Sequence, residues 1–169
     1  IQPEGDVFFV DFVCHEIGHQ FNGAHSFRDC MGKEDKDFMA EGAIEPGSGS
    51  TIMAYAGLCG SNNIQRYADP YFSGLNLKVM YSYSVFGPQC GEEVLFEREI
   101  PKLRTFEGKC SVPLGNYFQL SGKSDSPSDD RSSYSWERME IGHEAFSSNQ
   151  EGKFRSWPPI KQKQRFFPS

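Results

Sequence analysis

The first strong pattern of apolar positions lies in DVFFVDFVCHEIGHQF, residues 6–21, where Val10, Val13, Ile17 and Phe21 recur at three- and four-residue intervals. That spacing puts the four side chains on one helical face and predicts a buried stripe. Asp6, just after Gly5, suits the N-cap. Asn22-Gly23 suits the stop, because both residues can enter the left-handed conformation that closes a helix. Residues 29–50, rich in Gly, Asp and Glu, show no period and read as irregular loop. A second helical pattern covers 73–86 (SGLNLKVMYSYSVF), with Leu75, Val79 and Ser82 or Tyr83 in helical register.

Beyond Gly87-Pro88 the pattern shortens. YFQLSG at 117–122, SYSWERME at 133–140, KFRSW at 153–157 and QRFFP at 164–168 are strand candidates separated by turn residues, and SGKSDSPSDDRSS at 121–133 reads as a polar turn. Four short strands are part of an antiparallel sandwich and too few to complete one. The expected fold class is therefore α+β. The expected organisation is a first unit over 1–88, a linker over 89–103 and a partial immunoglobulin-like β-sandwich module over 104–169.

Charge supports a division. The net charge is -6; residues 1–85 hold 5 Lys/Arg against 11 Asp/Glu, whereas residues 86–169 hold 12 of each. The acidic balance argues against a nucleic-acid partner, which requires a basic face. No apolar run is long enough to span a membrane, and an aromatic share of 14% is too high for a disordered chain. The chain opens on Ile1 within a few residues of its strongest motif and stops on FFPS after a strand-like stretch. An excerpt of a longer protein is the expectation, so the lack of a leader is uninformative.

The five cysteines, Cys14, Cys30, Cys59, Cys90 and Cys110, contain no CxxC pair. A thiolate zinc site or redox motif has no support. Cys30 with Cys59 and Cys90 with Cys110 would each close a moderate loop in an oxidising compartment, leaving Cys14 over; five reduced thiols are the other reading, and connectivity is not legible from spacing.

The chemistry is concentrated in HEIGHQFNGAH, residues 15–25. His15 and His19, at i and i+4, project from one helical face and can grip one metal ion. Glu16 sits beside them, placed to act on a metal-activated water. His25 follows the Asn22-Gly23 break, which turns the chain so that a third imidazole can approach from outside the helix. Three neutral histidines leave one tetrahedral position open, the pattern of a catalytic zinc site. Asp125, Asp129 and Asp130 lack the spacing of a calcium loop and read as a solvated acidic turn. His143 stands alone and reads as a surface histidine.

HEIGHQFNGAH resembles the extended zinc-binding motif HExxHxxGxxH of the metzincin endopeptidases, and EPGSGSTIMAYAGLCGSNNIQ, residues 45–65, is similar to the segment that follows it in secreted, reprolysin-like members, especially bacterial ones. The resemblance implies the C-terminal part of a metzincin catalytic domain, with the active-site helix, Zn2+ on His15, His19 and His25, and Glu16 as general base. It implies that Met53 forms the Met-turn, an apolar floor under the imidazoles, and that Tyr55 is a candidate oxyanion stabiliser, with packing beside the turn as its other reading. Asn22 stands where the family has Gly, and Ser26 does not match the Asp of the adamalysin branch. VPLGNYFQLSG, SYSWERMEIG and FRSWPPIKQKQRFFP are similar to the sandwich module that follows such catalytic domains.

The implied function is hydrolysis of peptide bonds in protein or peptide substrates by a secreted or extracellular zinc metalloendopeptidase. The family's peptide-holding strand precedes the HExxH helix, so little activity is expected of these residues alone. The alternative is an extracellular binding or adhesion module that keeps zinc as a staple. A pseudo-protease would need a broken ligand or base, and none is broken.

Overall fold

The computed structural model describes residues 4–30, 42–88, 91, 92, 94, 102–104, 111–125, 132–137, 139, 157–162 and 164–168. Cys90, Cys110, Asp129, Asp130 and His143 lie outside them. The chain divides into two compact units, Ile1–Cys90 with Glu137–Pro158, and Gly91–Trp136 with Pro159–Ser169.

The first unit opens with a continuous helical run in three parts: α1 (Gly5–Phe8), a π-helical segment (Phe9–Cys14) and α2 (His15–Gln20). Glu4, not Asp6, is the N-cap; Asp6 lies in the first turn, where a carboxylate favours the helix dipole. The expected buried stripe does not form. Val10 and Val13 are half-buried, but Ile17 is 48% and Phe21 42% exposed. The π segment pairs i with i+5 and breaks the 3.6-residue register on which the stripe depended. The buried residues of α2 are instead His15 and Gly18.

The end of α2 follows expectation. Asn22 takes φ 64° and is the positive-φ non-glycine among the described residues. Gly23 N–H donates to the Gly18 carbonyl and Asn22 N–H to the His19 carbonyl, both at 2.9 Å. This 6→1 and 5→2 pair is the Schellman arrangement. Beyond it the chain leads to Phe27, which bridges Glu45 in parallel.

Residues 42–73 contain no long regular element, only a 3₁₀ turn at Gly60–Asn62, yet they carry most of the core. Ile52, Met53, Ala54, Ala56 and Cys59 are buried there, and Phe27, Cys30 and Cys59 form a cluster against which Tyr55 packs. The disulfide joins Cys30 to Cys59 across 29 positions; Cys14 is a free, half-buried thiol. Helix α3 (Gly74–Phe86) is capped by Ser73, whose hydroxyl accepts the Asn76 N–H. The Gly74 N–H donates to Glu137 Oε2 at 2.5 Å.

In the second unit, strands β1 (Leu103–Arg104) and β3 (Lys123–Ser124) pair antiparallel, as do β2 (Tyr117–Ser121) and β4 (Gln164–Pro168), the latter from Tyr117 opposite Pro168 to Ser121 opposite Gln164. Both longer strands fall where the alternation placed them. The stretch expected as a polar turn at 121–133 begins instead as strand through β3, with Arg104 paired to Asp125. The strand expected over 133–140 is reduced, among the described residues, to one bridge between Tyr134 and Ile160. Burial explains this locally: Tyr134 packs inward and its hydroxyl accepts the Ser124 N–H at 3.2 Å, while Ser133 and Ser135 are not buried. Of the strand expected at 153–157, Trp157 alone is described, and it is not in a strand. The described architecture is mixed helix with small antiparallel sheets, compatible with the α+β expectation.

Candidate metal centre

His15 and His19 are brought together by α2 and His25 by the turn after it. Their ligand nitrogens all lie within 4.8 Å of one another. The rings are mutually inclined, His15 to His19 at 81° with centroids 4.8 Å apart and His19 to His25 at 72° and 4.7 Å. His15 and His25 are buried and His19 half-buried.

The outer nitrogens are held by backbone. His15 Nδ1–H donates to the Ile52 carbonyl at 2.7 Å, and His19 Nδ1–H donates to the Gly23 carbonyl at 2.8 Å. A carbonyl can only accept, so each Nδ1 carries the proton and each Nε2 presents a lone pair. His19 Nε2 and His25 Nε2 stand 3.0 Å apart. Two nitrogens bound tetrahedrally to zinc at 2.0–2.1 Å would be about 3.3 Å apart. The donor set, tautomers and spacing therefore fit one divalent metal ion of the zinc type.

Burial pushes His15 down to about 4, with the neighbouring His19 and His25 adding to the fall against the opposing bond to Ile52. The ring is therefore neutral at physiological pH, the form in which imidazole ligates metal. Glu16 is exposed on the same helix, near enough for its charge to act on His15.

Met53 is fully buried, and a side chain at Gly18 would run into its Sδ and the Phe72 ring; Gly23 likewise lies against the Gly18 carbonyl and the Met53 methyl. The thioether thus packs on the helix that carries two of the histidines. The Met53 carbonyl accepts the Ser26 N–H at 2.9 Å, next to His25. The Tyr55 ring lies against His25 at 4.6 Å, Phe27 at 4.7 Å and His15 at 5.7 Å between centroids. All six chemistry-bearing residues expected in the first unit, His15, Glu16, His19, His25, Met53 and Tyr55, are therefore gathered in one region.

Residues 1–82 match the family of reprolysin-like metallo-peptidases, family M12B. This segment is similar to that family. M12B metallopeptidases act on peptide bonds with a metal ion, typically zinc, and the three-histidine cluster is the place in the described residues able to hold one. No curated protein and no solved structure matches the chain significantly. No described helix is long and apolar enough to cross a membrane. The disulfide and the family are compatible with an extracellular setting.

The sequence did not show that Ile52 and Gly23 contribute through their carbonyls, because a backbone acceptor leaves no trace in residue type. Nor did it single out Glu45. The signal available was an acidic residue just ahead of a Gly/Ser turn, PGSGST, the composition of a loop whose amides need an internal acceptor.

Proposed function

We propose that the M12B segment forms the zinc site of a secreted metalloendopeptidase, with His15, His19 and His25 as the ligands. The convergence of three imidazoles, with the outer nitrogens of His15 and His19 donating to backbone carbonyls, carries this reading. A zinc ion there would supply Lewis acidity, polarising a peptide carbonyl and acidifying a water. Glu16, exposed one residue after the first ligand, accepts the proton of the attacking water and returns it to the leaving amine. The Tyr55 phenol, beside two of the imidazoles, donates to the developing oxyanion. Met53 acts through packing, as the apolar floor that the metzincin resemblance implies. Substrates are proteins or peptides. Residues 104–169 are read as part of an immunoglobulin-like sandwich attached through a linker over 89–103.

The test is Glu16→Ala in the full-length protein. Zinc content should be retained while peptide hydrolysis is lost by at least about 100-fold, the usual span of a general base. Retained hydrolysis in a zinc-loaded Glu16→Ala protein would sink the assignment. His25→Ala should lose the metal as well; unchanged zinc affinity would remove His25 from the ligand set.

A further inference from the structure

Glu45 is a carboxylic acid that is 3% exposed and far from the helix bearing the site in sequence. Its Oε2 accepts the Ser50 N–H at 2.5 Å and the Thr51 N–H at 3.1 Å. Its own N–H donates to the Ser26 carbonyl at 2.9 Å, and Ser26 Oγ is 3.3 Å from Thr51 Oγ1. The Ser26 N–H in turn donates to the Met53 carbonyl. One residue therefore holds Ser26, just after His25, through its backbone and the turn before Met53 through its side chain. The residue following Thr51 is Ile52, whose carbonyl accepts from His15 Nδ1.

We propose that Glu45 is a positioning residue for the metal centre: by holding the Ser50 and Thr51 amides it fixes the Ile52 carbonyl, and through that carbonyl the tautomer and direction of His15. A ligand histidine is held in this way by the acceptor on its far nitrogen, and loss of such an acceptor weakens metal binding about 10- to 100-fold. The Ile52 carbonyl cannot be removed by substituting its own side chain. Its support can be.

Glu45 Oε1 is buried without a hydrogen-bond partner. An ionised carboxylate there would be buried with one of its two oxygens unpaired. Burial raises the carboxyl above the usual range against the hydrogen bonds from Thr51 and Ser50, and Glu137 pushes the same way. Burial thus favours the uncharged form of Glu45, which accepts both amides through one oxygen. Glutamine keeps an uncharged carbonyl oxygen as acceptor for the two amides.

The inference rests on the metal-site reading for its zinc measurement only; the tautomer measurement stands without it. In the metal-free chain, 15N-histidine NMR should show His15 and His19 as Nδ1–H tautomers. Glu45→Ala and Glu45→Asp, which remove or withdraw the acceptor, should convert His15 to a mixture while His19, held by the Gly23 carbonyl, keeps Nδ1–H. Zinc affinity, read by chelator competition, should fall about tenfold or more. Glu45→Gln should keep the wild-type His15 tautomer and bind zinc within about threefold of wild type. A folded Glu45→Ala or Glu45→Asp protein with the wild-type His15 tautomer overturns the proposal, as does Glu45→Gln behaving like Glu45→Ala. Should Glu45→Ala not fold, the Asp and Gln variants decide. Should wild type bind no zinc, the peptidase reading fails while the tautomers still test Glu45.

Discussion

His15 donates through Nδ1 to the carbonyl of Ile52 at 2.7 Å, across 37 positions of the chain. This bond joins the helix carrying the HExxH pattern to the irregular loop around Met53, and it sets which nitrogen of His15 faces the other two imidazoles. It acts together with the Ser26–Met53 backbone bond and the packing of Gly18 on Met53 to hold the two halves of the site.

The same burial that makes this bond possible keeps His15 neutral. In the metal-free chain its ring should titrate near pH 4, against an ordinary value of 6.5. The unfolded chain takes up this proton below about 6.5 and the folded chain only near 4, so stability is lost as pH falls through that interval. Histidine NMR measures the midpoint directly. A value close to 6.5 would mean that His15 is solvated.

Gly18 lies under Met53. In an exposed helix, Gly→Ala gains about 1 kcal/mol. Here the added methyl meets the buried Met53 thioether and the Phe72 ring, so Gly18→Ala should lose about 1–3 kcal/mol by overpacking, net of that gain. Denaturant unfolding gives the sign. A stabilised Gly18→Ala protein would show that helix and Met53 are not in close contact.

The Cys30–Cys59 bond closes a loop of 29 positions, for which the chain-entropy model gives about 3–4 kcal/mol. Cys30→Ser with Cys59→Ser should lower unfolding free energy by that order, and reduction of the wild type should match the double variant. Because Tyr55 packs on this cluster, hydrolysis by the full-length protein should fall together with stability.

Glu45 supplies a pH dependence of opposite sign to His15. With its carboxyl raised above 4.5 by burial, its contribution is present when protonated and is lost as pH rises above 4.5 toward the raised value. The stability of wild type relative to Glu45→Gln should therefore decline from pH 4 to pH 7. A difference that is flat or rises with pH contradicts an uncharged Glu45; Glu137, which acts on it electrostatically, is the control substitution.

Much of the site was legible in the sequence because its grammar is local. Helical spacing alone places His15 and His19 on one face, and Asn22-Gly23 is a stop signal whose left-handed residue and Schellman bonds are as expected. Helix α3 falls within the helical pattern over 73–86, and β2 and β4 follow from alternation. The apolar stripe at Val10, Val13, Ile17 and Phe21 failed because a π segment intervenes, and nothing in residue type announces an i→i+5 pairing. The strand expected at 133–140 shrank to a bridge because pairing needs a partner edge, which is a tertiary matter.

Residue type and spacing by themselves brought out three histidines and one adjacent glutamate, and the metzincin resemblance added Met53 and Tyr55. Only the tertiary structure decided how those donors are aimed. Aiming is done by the carbonyls of Ile52 and Gly23, by the small volume of Gly18 against Met53, and by the buried carboxyl of Glu45. Backbone acceptors and close approaches depend on segments far apart in the chain meeting at a few ångströms, and a linear pattern does not encode that distance.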